Sequence, residues 1–207
     1  MIRLSLVVTL LFWLSACGEN PPVPVDHFYQ LSLENSAVPP VQLTDKVIYV
    51  EGIRADGIYN ERALLYSEDT NQHELQQYHY HFWALPPADM LREHLVGYLR
   101  QAGSAPMVIS DFRSGSGLGI SGKLLAFEKR VIADQVSVRV AVELRLDVPG
   151  QEAPQLIKRY EADQPVTDPA MRDVIAGFNQ AVDRIYGEFL TDASQSLQTA
   201  HFSQVEE

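Results

Sequence analysis

Residues 73–103 read HELQQYHYHFWALPPADMLREHLVGYLRQAG, and the fold turns on how this stretch divides. Its first part alternates. Tyr78, Tyr80, Phe82 and Ala84 fall on one face of an extended strand from Leu75 to Leu85, with Gln77, His79, His81 and Trp83 on the other. Pro86 and Pro87 stop the strand, because proline has no N–H to give to a ladder, and Pro87 suits the first turn of a helix. The period then changes. Ala88, Leu91, Leu95, Tyr98, Leu99 and Ala102 make one stripe, Asp89, Arg92, Glu93 and Arg100 lie outside it, and Gly103 supplies a stop. A strand and a helix joined by so short a corner pack back to back. This unit is expected at the centre of a sheet that the other strands join.

Upstream of it, His27–Leu33 and Lys46–Ile53 read as strands, Ala37–Leu43 as proline-containing loop, and Arg62–Tyr66 as a short strand before a polar turn. Downstream, Pro106–Phe112 reads as a strand and Ser114–Gly122 as a flexible segment, followed by a strand over Lys123–Arg130. Ala133-Asp134-Gln135 turns the chain into the cleanest alternation it contains. From Val136 to Val148 every second residue is Val or Leu and faces inward, while Ser137, Arg139, Glu143, Arg145 and Asp147 face out. Pro149-Gly150 turns back into a strand over Gln155–Ala162, which completes an antiparallel meander with one wet face. Asp168 as N-cap and Pro169 in the first turn open a final helix. Met171, Val174, Ile175, Phe178, Val182, Ile185, Tyr186 and Phe189 form its core stripe, and Gln195–Glu207 reads as a polar, frayed end. The expected class is α/β: a mixed, mostly antiparallel β-sheet packed with two main helices.

The N-terminus is of another kind. Arg3 precedes an apolar run, Leu4–Leu14, too short to span a bilayer, which takes roughly 20 residues. The chain's one cysteine follows directly, in Leu14-Ser15-Ala16-Cys17, which resembles a bacterial lipobox. That resemblance implies a signal peptide over residues 1–16, cleavage before Cys17, and acylation of its sulfur and new amino group. Several acyl chains, at about 0.8 kcal/mol per buried CH₂, hold a protein firmly where one would not. With a single cysteine no intramolecular disulfide can form. Gly18 stands where lipoproteins kept in the inner membrane often carry Asp, and by that analogy the outer membrane is the destination. Pro21, Pro22 and Pro24 make 17–25 an extended tether. The domain is expected over 26–191, with a polar tail over 192–207.

Charge and composition exclude some functions. The chain has 207 residues, 46% hydrophobic and 21% charged, enough for one core. Its net charge of -11 disfavours phosphate backbones, and no basic patch with interleaved aromatics occurs, so nucleic-acid binding is not expected. Gly117-Leu118-Gly119-Ile120-Ser121-Gly122 matches G-x-G-x-x-G, yet a strand follows it where the dinucleotide fingerprint needs a helix N-terminus, so no cofactor is assigned. The loop carrying Gly117 and Gly119 is instead a candidate contact for a partner or a second copy. His79 and His81, two apart on a strand, point the same way, as zinc-binding histidines do. A third ligand, His73 or His94, would have to converge on them, and no metal site is assigned. There is no G-x-S-x-G elbow, and the carboxylates are scattered, so an enzyme is not expected. Trp83, ending the aromatic strand, either covers the start of the first helix or forms an exposed partner contact.

In order, the chain carries a lipobox and proline tether, an aromatic-Leu strand (Phe28-Tyr29-Gln30-Leu31) and a strand ending in Trp83. A helix over Ala88–Ala102, the paired strands through Val136–Leu146 and a long last helix follow. This order resembles the ABC-type transport auxiliary lipoproteins, the group that includes paraquat-inducible protein C, over roughly His27–Leu190. The polar strand Glu74–His81 departs from the family's pattern. The resemblance implies an α/β sandwich like the TolB N-terminal domain, with no catalytic residues and only Cys17 as a functional residue. It further implies a domain hung from the outer membrane, a homo-oligomer arranged as a ring and working with an inner-membrane ABC transporter, an MCE-type tunnel protein, or both, in moving lipids or other hydrophobic molecules between membranes. The rival reading is a chaperone that carries acyl chains in a cavity of its own.

Overall fold

Strand β6 is the spine of the molecule, because its fifteen residues serve three neighbours at once. In the computed structural model, which describes residues 23–34, 36–68, 74–110 and 115–205 (side chains to 200), the strands are β1 (His27–Tyr29), β2 (Val47–Ala55), β3 (Ala63–Glu68), β4 (Gln76–Trp83), β5 (Met107–Ile109), β6 (Leu118–Ile132), β7 (Gln135–Asp147) and β8 (Leu156–Val166). One edge of β6 pairs antiparallel with β7 from Gly119 to Ile132. Its other edge pairs parallel with β2 over Leu118–Leu124 and then parallel with β3 over Glu128–Val131. The sheet is extended beyond β2 by β5, beyond β3 by β4 and β1, and beyond β7 by β8. It is mixed and stays open.

Helices α1 (Pro87–Gln101) and α2 (Met171–Val205) lie side by side on one face. The Tyr186 hydroxyl of α2 donates to the Leu91 carbonyl of α1 at 2.9 Å, and the Tyr98 and Tyr186 rings meet edge to face. Between helices and sheet runs one hydrophobic core, with Ile48, Val50, Ile120, Val140, Leu144, Leu95, Phe178 and Phe189 among its members. Each element's apolar period explains its place in it: Val138, Val140, Val142, Leu144 and Leu146 of β7 are fully buried. Gly103 ends α1 at φ +65, a conformation an L side chain resists. Helix α2 starts later than expected: Ala170 rather than Asp168 is its cap, and Asp168 and Pro169 precede it, with Asp168 Oδ1 accepting from the Ala170 N–H at 2.8 Å. Among the described residues no helix is long and apolar enough to cross a membrane.

Several expectations need correcting. β4 is not central; it lies one strand from the edge formed by β1, and β6 holds the centre. Periodicity reports which face is buried and cannot rank strands by position. The alternation in β4 also fails locally. Ala63 pairs with Phe82 and Leu65 with Gln77, so residues 78–81 bulge, and Tyr78 and His81, which strict alternation separates, meet edge to face at 5.3 Å. The segment read as flexible, 114–122, is already strand from Leu118. Strand β1 is only three residues long, and the rest of His27–Leu33 leaves the sheet. The last helix does not fray from Gln195, and the stretch from 192 read as a polar tail continues it. It runs to Val205, with Ala193 fully buried and Ser196 exchanging hydrogen bonds with Gln155. Beyond Leu190 it packs through Ala193, Ser196 and Leu197, too few apolar residues to leave a clear stripe.

Candidate functional site

Two groups of side chains hold the first described stretch of the chain, residues 27–43, against the rest of the domain, and both follow from the course of the chain from β1 onward. The first lies where β1 meets β4. Three parallel register pairs join them: His27 with His81, Phe28 with Phe82, Tyr29 with Trp83. His27 stacks on His81 at 5.2 Å, Phe28 on Phe82 at 5.8 Å, and the Tyr29 hydroxyl is 2.8 Å from His81 Nδ1. Tyr78 abuts His81, Tyr66 abuts Tyr78, and the nearly buried Lys129 donates to the Tyr78 hydroxyl at 3.0 Å. Partial burial, then the neighbouring His27 and Lys129, hold the His81 imidazole below its ordinary pKa.

The second group lies under the segment joining β1 to β2. This segment straps the groove between the two helices. The Ser32 N–H donates to Asn179 Oδ1, the Ser36 hydroxyl to Asp183 Oδ2, and the Val41 and Leu43 N–H groups to the carbonyls of Ala102 and Ser104. Leu33 presses on Gly97, where a Cβ would stand 2.6 Å from its Cδ1. Below the strap, His94 is 6% exposed, with Nε2 3.7 Å from Asp183 Oδ1, beyond hydrogen-bond reach. Burial pushes the His94 pKa down to about 4 against the opposing Ser32 backbone, and burial raises Asp183. Ser36, Asp183 and His94 are ordered with the carboxylate in the middle. A nucleophilic triad needs the imidazole there, so this arrangement is a clasp for the strap. Sequence reading missed the clasp, because the buried face of α1 widens to include Met90, His94 and Val96 only once the strap covers it.

The opposite face of the sheet is ionic. Arg139 pairs with Glu161 at 2.6 Å and Glu128 at 3.6 Å, Arg145 with Asp147, and Lys123 with Asp56. Tyr59 donates to Glu128 at 2.5 Å, and burial, then that carboxylate, raise the tyrosine's pKa. A shallow hollow of about 380 Å³ opens there over Gly52 and Gly122.

The structure separates the residues picked out from sequence. Trp83 is not a surface contact. It is 0% exposed, wedged between Phe127 at 4.9 Å and Phe178 at 5.1 Å. Gly117 and Gly119 are buried too, and cannot serve as a contact loop. A Cβ on Gly117 would strike the Val47 carbonyl oxygen and the Tyr49 ring, and Gly119 lies within β6 opposite Tyr49 and Asp147. His79 is not aligned with His81; its ring neighbour is Tyr80. His94 is remote under the strap, and His73 lies outside the described residues. Among the described residues no three His, Cys, Asp or Glu side chains are grouped to hold a metal. Leu14, Ser15, Ala16 and Cys17, with the signal segment 1–16 and the tether to residue 22, also lie outside the described residues.

The chain belongs to the ABC-type transport auxiliary lipoprotein family, which matches residues 29–188. Among solved structures, a Xanthomonas campestris protein of the DUF330 family superposes with a TM-score of 0.73 at 18% identity, covering 84% of this chain and 98% of that one. A crystal structure of an uncharacterized protein gives 0.65 at 15% identity, with 81% and 98% covered. A hypothetical protein from Chlamydia trachomatis gives 0.50 at 8% identity, with 74% and 98% covered. At these identities the likeness is one of fold. No curated protein matches the chain. Family membership makes this a transport-associated, membrane-anchored lipoprotein component of an ABC-type system.

Proposed function

We propose that the protein is an adaptor rather than a catalyst: a periplasmic domain, lipidated at Cys17, that docks an intermembrane transport machine at the outer membrane. The observation that carries this reading is the lipobox Leu14-Ser15-Ala16-Cys17 directly upstream of an auxiliary-lipoprotein domain spanning 29–188. The partner is an inner-membrane ABC transporter or an MCE-type tunnel protein, the cargo a lipid or other hydrophobic molecule, and the adaptor a homo-oligomer. Anchoring works by confinement, since holding a domain near the bilayer raises its effective concentration for a partner there.

The filled interior supports an adaptor over a lipid chaperone. Trp83, Phe127 and Phe178 close the core between sheet and helices. The hollow between the strap and α1, lined by Leu31, Leu33, Leu85 and Met90, is about 270 Å³ and open at the surface. Whole-protein mass spectrometry joined to density-gradient fractionation tests the anchoring. The expected result is a chain beginning at acylated Cys17 and sedimenting with outer membrane. An unmodified chain in the soluble periplasmic fraction would refute it.

A further inference from the structure

Strand β1 is short, lies at an edge of the sheet and pairs with β4 alone. Strands β6 and β7, by contrast, run in register from Gly119 to Ile132. What fixes β1 is largely a set of ring contacts, and two of its three side chains rest on one ring. His27 stacks on His81 at 5.2 Å, and the Tyr29 ring stacks on it at 5.7 Å with the hydroxyl 2.8 Å from Nδ1. The charged and titratable groups facing His81 are His27 and Tyr29 from β1, Tyr78 from β4 itself, and Lys129 from β6. Behind Tyr78 stands Tyr66 of β3, on which Glu68 and Glu74 act. Among the described residues no carboxylate acts on His81, and Asp26, beside His27 in sequence, is exposed.

We infer that β1 is an acid-released latch. Below about pH 6, a proton on His81 sets a charge against His27 and Lys129, and His27–Tyr29 leave β4 while the rest of the sheet stays paired. With β1 attached, partial burial, then His27 and Lys129, hold the ring below its ordinary pKa of 6.5. Detaching β1 takes His27 away and admits water to the ring, so the detached state binds the proton more tightly. Attachment is therefore strongest above pH 6.5 and weakens as pH falls below it. Release stops at the strap, where the Ser32 N–H donates to Asn179 Oδ1 and the Ser36 hydroxyl to Asp183 Oδ2. His94 beneath them is pushed down to about 4 by burial, and Asp183 Oδ1 faces it at 3.7 Å, so its proton arrives later. The consequence of release is a new sheet edge. Without β1, the edge of β4 and the Phe82 ring are uncovered, an edge of the kind that takes up a strand from another chain. The inference goes beyond the docking reading and does not depend on it.

Hydrogen exchange of the full-length protein in detergent tests this, read by mass spectrometry at about pH 7.5 and about pH 5.5, on either side of the ordinary histidine pKa. Labelling times are scaled to the intrinsic exchange rate at each pH. The expected result is that peptides covering His27–Tyr29 lose protection several-fold at the lower pH, up to about tenfold, because one proton taken up on opening shifts an equilibrium by at most about tenfold per pH unit. Peptides from β6 and β7 should keep theirs. The His27→Gln/His81→Gln double variant keeps polar side chains without the titration, and its loss at low pH should disappear. In the unaltered chain, the His81 ring titration followed by nuclear magnetic resonance should share its midpoint with the release, which decides the matter even if the variant folds poorly. Equal protection of β1 at the two pH values, a loss spread over the whole sheet, or a loss that persists in the double variant would overturn the inference. So would a loss that disappears in His94→Gln instead, or a release whose midpoint departs from that of His81.

Discussion

Replacing Trp83 with alanine tests the packing at the heart of the fold. The indole is fully buried, 4.9 Å from Phe127 and in edge-to-face contact with Phe178 at 5.1 Å, and those two rings lie 4.5 Å from each other. It is the joint through which β4, β6 and α2 touch. Trp83→Ala removes its buried area and leaves a cavity that three secondary-structure elements cannot close together, at a cost of about 3–5 kcal/mol. Domains of this kind have about 5–15 kcal/mol in all. For a chain of this length each kcal/mol moves Tm by about 2–4 °C, so a fall of about 6–20 °C is expected. The backbone bonds at this position, Trp83 N–H to the Arg62 carbonyl and the Arg62 side chain to the Trp83 carbonyl, survive the substitution, so the loss reports the side chain. Thermal and urea unfolding followed by far-ultraviolet circular dichroism measures it. Trp83→Phe keeps a ring in the joint and should lose about half as much or less. A Trp83→Ala protein that melts within about 2 °C of the parent would refute the packing described here.

Three further outcomes follow from particular residues. The His94 pKa falls from its ordinary 6.5 to about 4 on folding, so between those values the unfolded chain binds the extra proton. Stability from the neutral ring is complete above pH 6.5 and is lost as pH falls through about 4, by up to about 3 kcal/mol. Asp183, raised by burial, works in the opposite sense, so the comparison is between the parent and His94→Gln, whose urea midpoint should vary less between pH 6.5 and 4; equal slopes would refute it. Gly117→Ala drives a methyl into the Val47 carbonyl and Tyr49 ring and should cost about 1–3 kcal/mol in a urea titration, where a neutral effect would contradict the close approach. Ala133 sits at φ +47 in the β6–β7 turn, a left-handed conformation that costs an L residue about 1–2 kcal/mol, so Ala133→Gly should raise Tm; a lowered Tm would count against the turn geometry.

How much was legible in the sequence depended on whether a residue's neighbours were local. The alternation of β7 and the stripe of α2 through Phe189 needed only one buried side each, and both came through. The Gly103 stop depends on a few adjacent residues and held as well, whereas the helix expected to start at Asp168-Pro169 starts at Met171, because Ala170 takes the cap position and its carbonyl accepts from the Asp173 and Val174 N–H groups. The rank of strands was not legible, because β4 carries the most vivid pattern yet sits near the edge, while β6 hides its start in a glycine-rich stretch. Those glycines look like flexibility in sequence. In the fold Gly117 is a place where β2 passes too close for a side chain. Trp83, His94 and the bulge at 78–81 share one cause. Each is decided by a contact from far along the chain: Phe178 against Trp83, the strap over His94, and β3 against β4.

The central claim is that an anchored domain serves as docking piece for a transport machine. Affinity purification of tagged full-length protein from mildly crosslinked membranes, beside a Cys17→Ala control, tests it most directly. The account predicts that the parent protein is recovered from the outer membrane with an ABC-transporter or MCE-type component, and that the control loses that component. An anchored protein recovered alone, with lipid held in its interior, would contradict it.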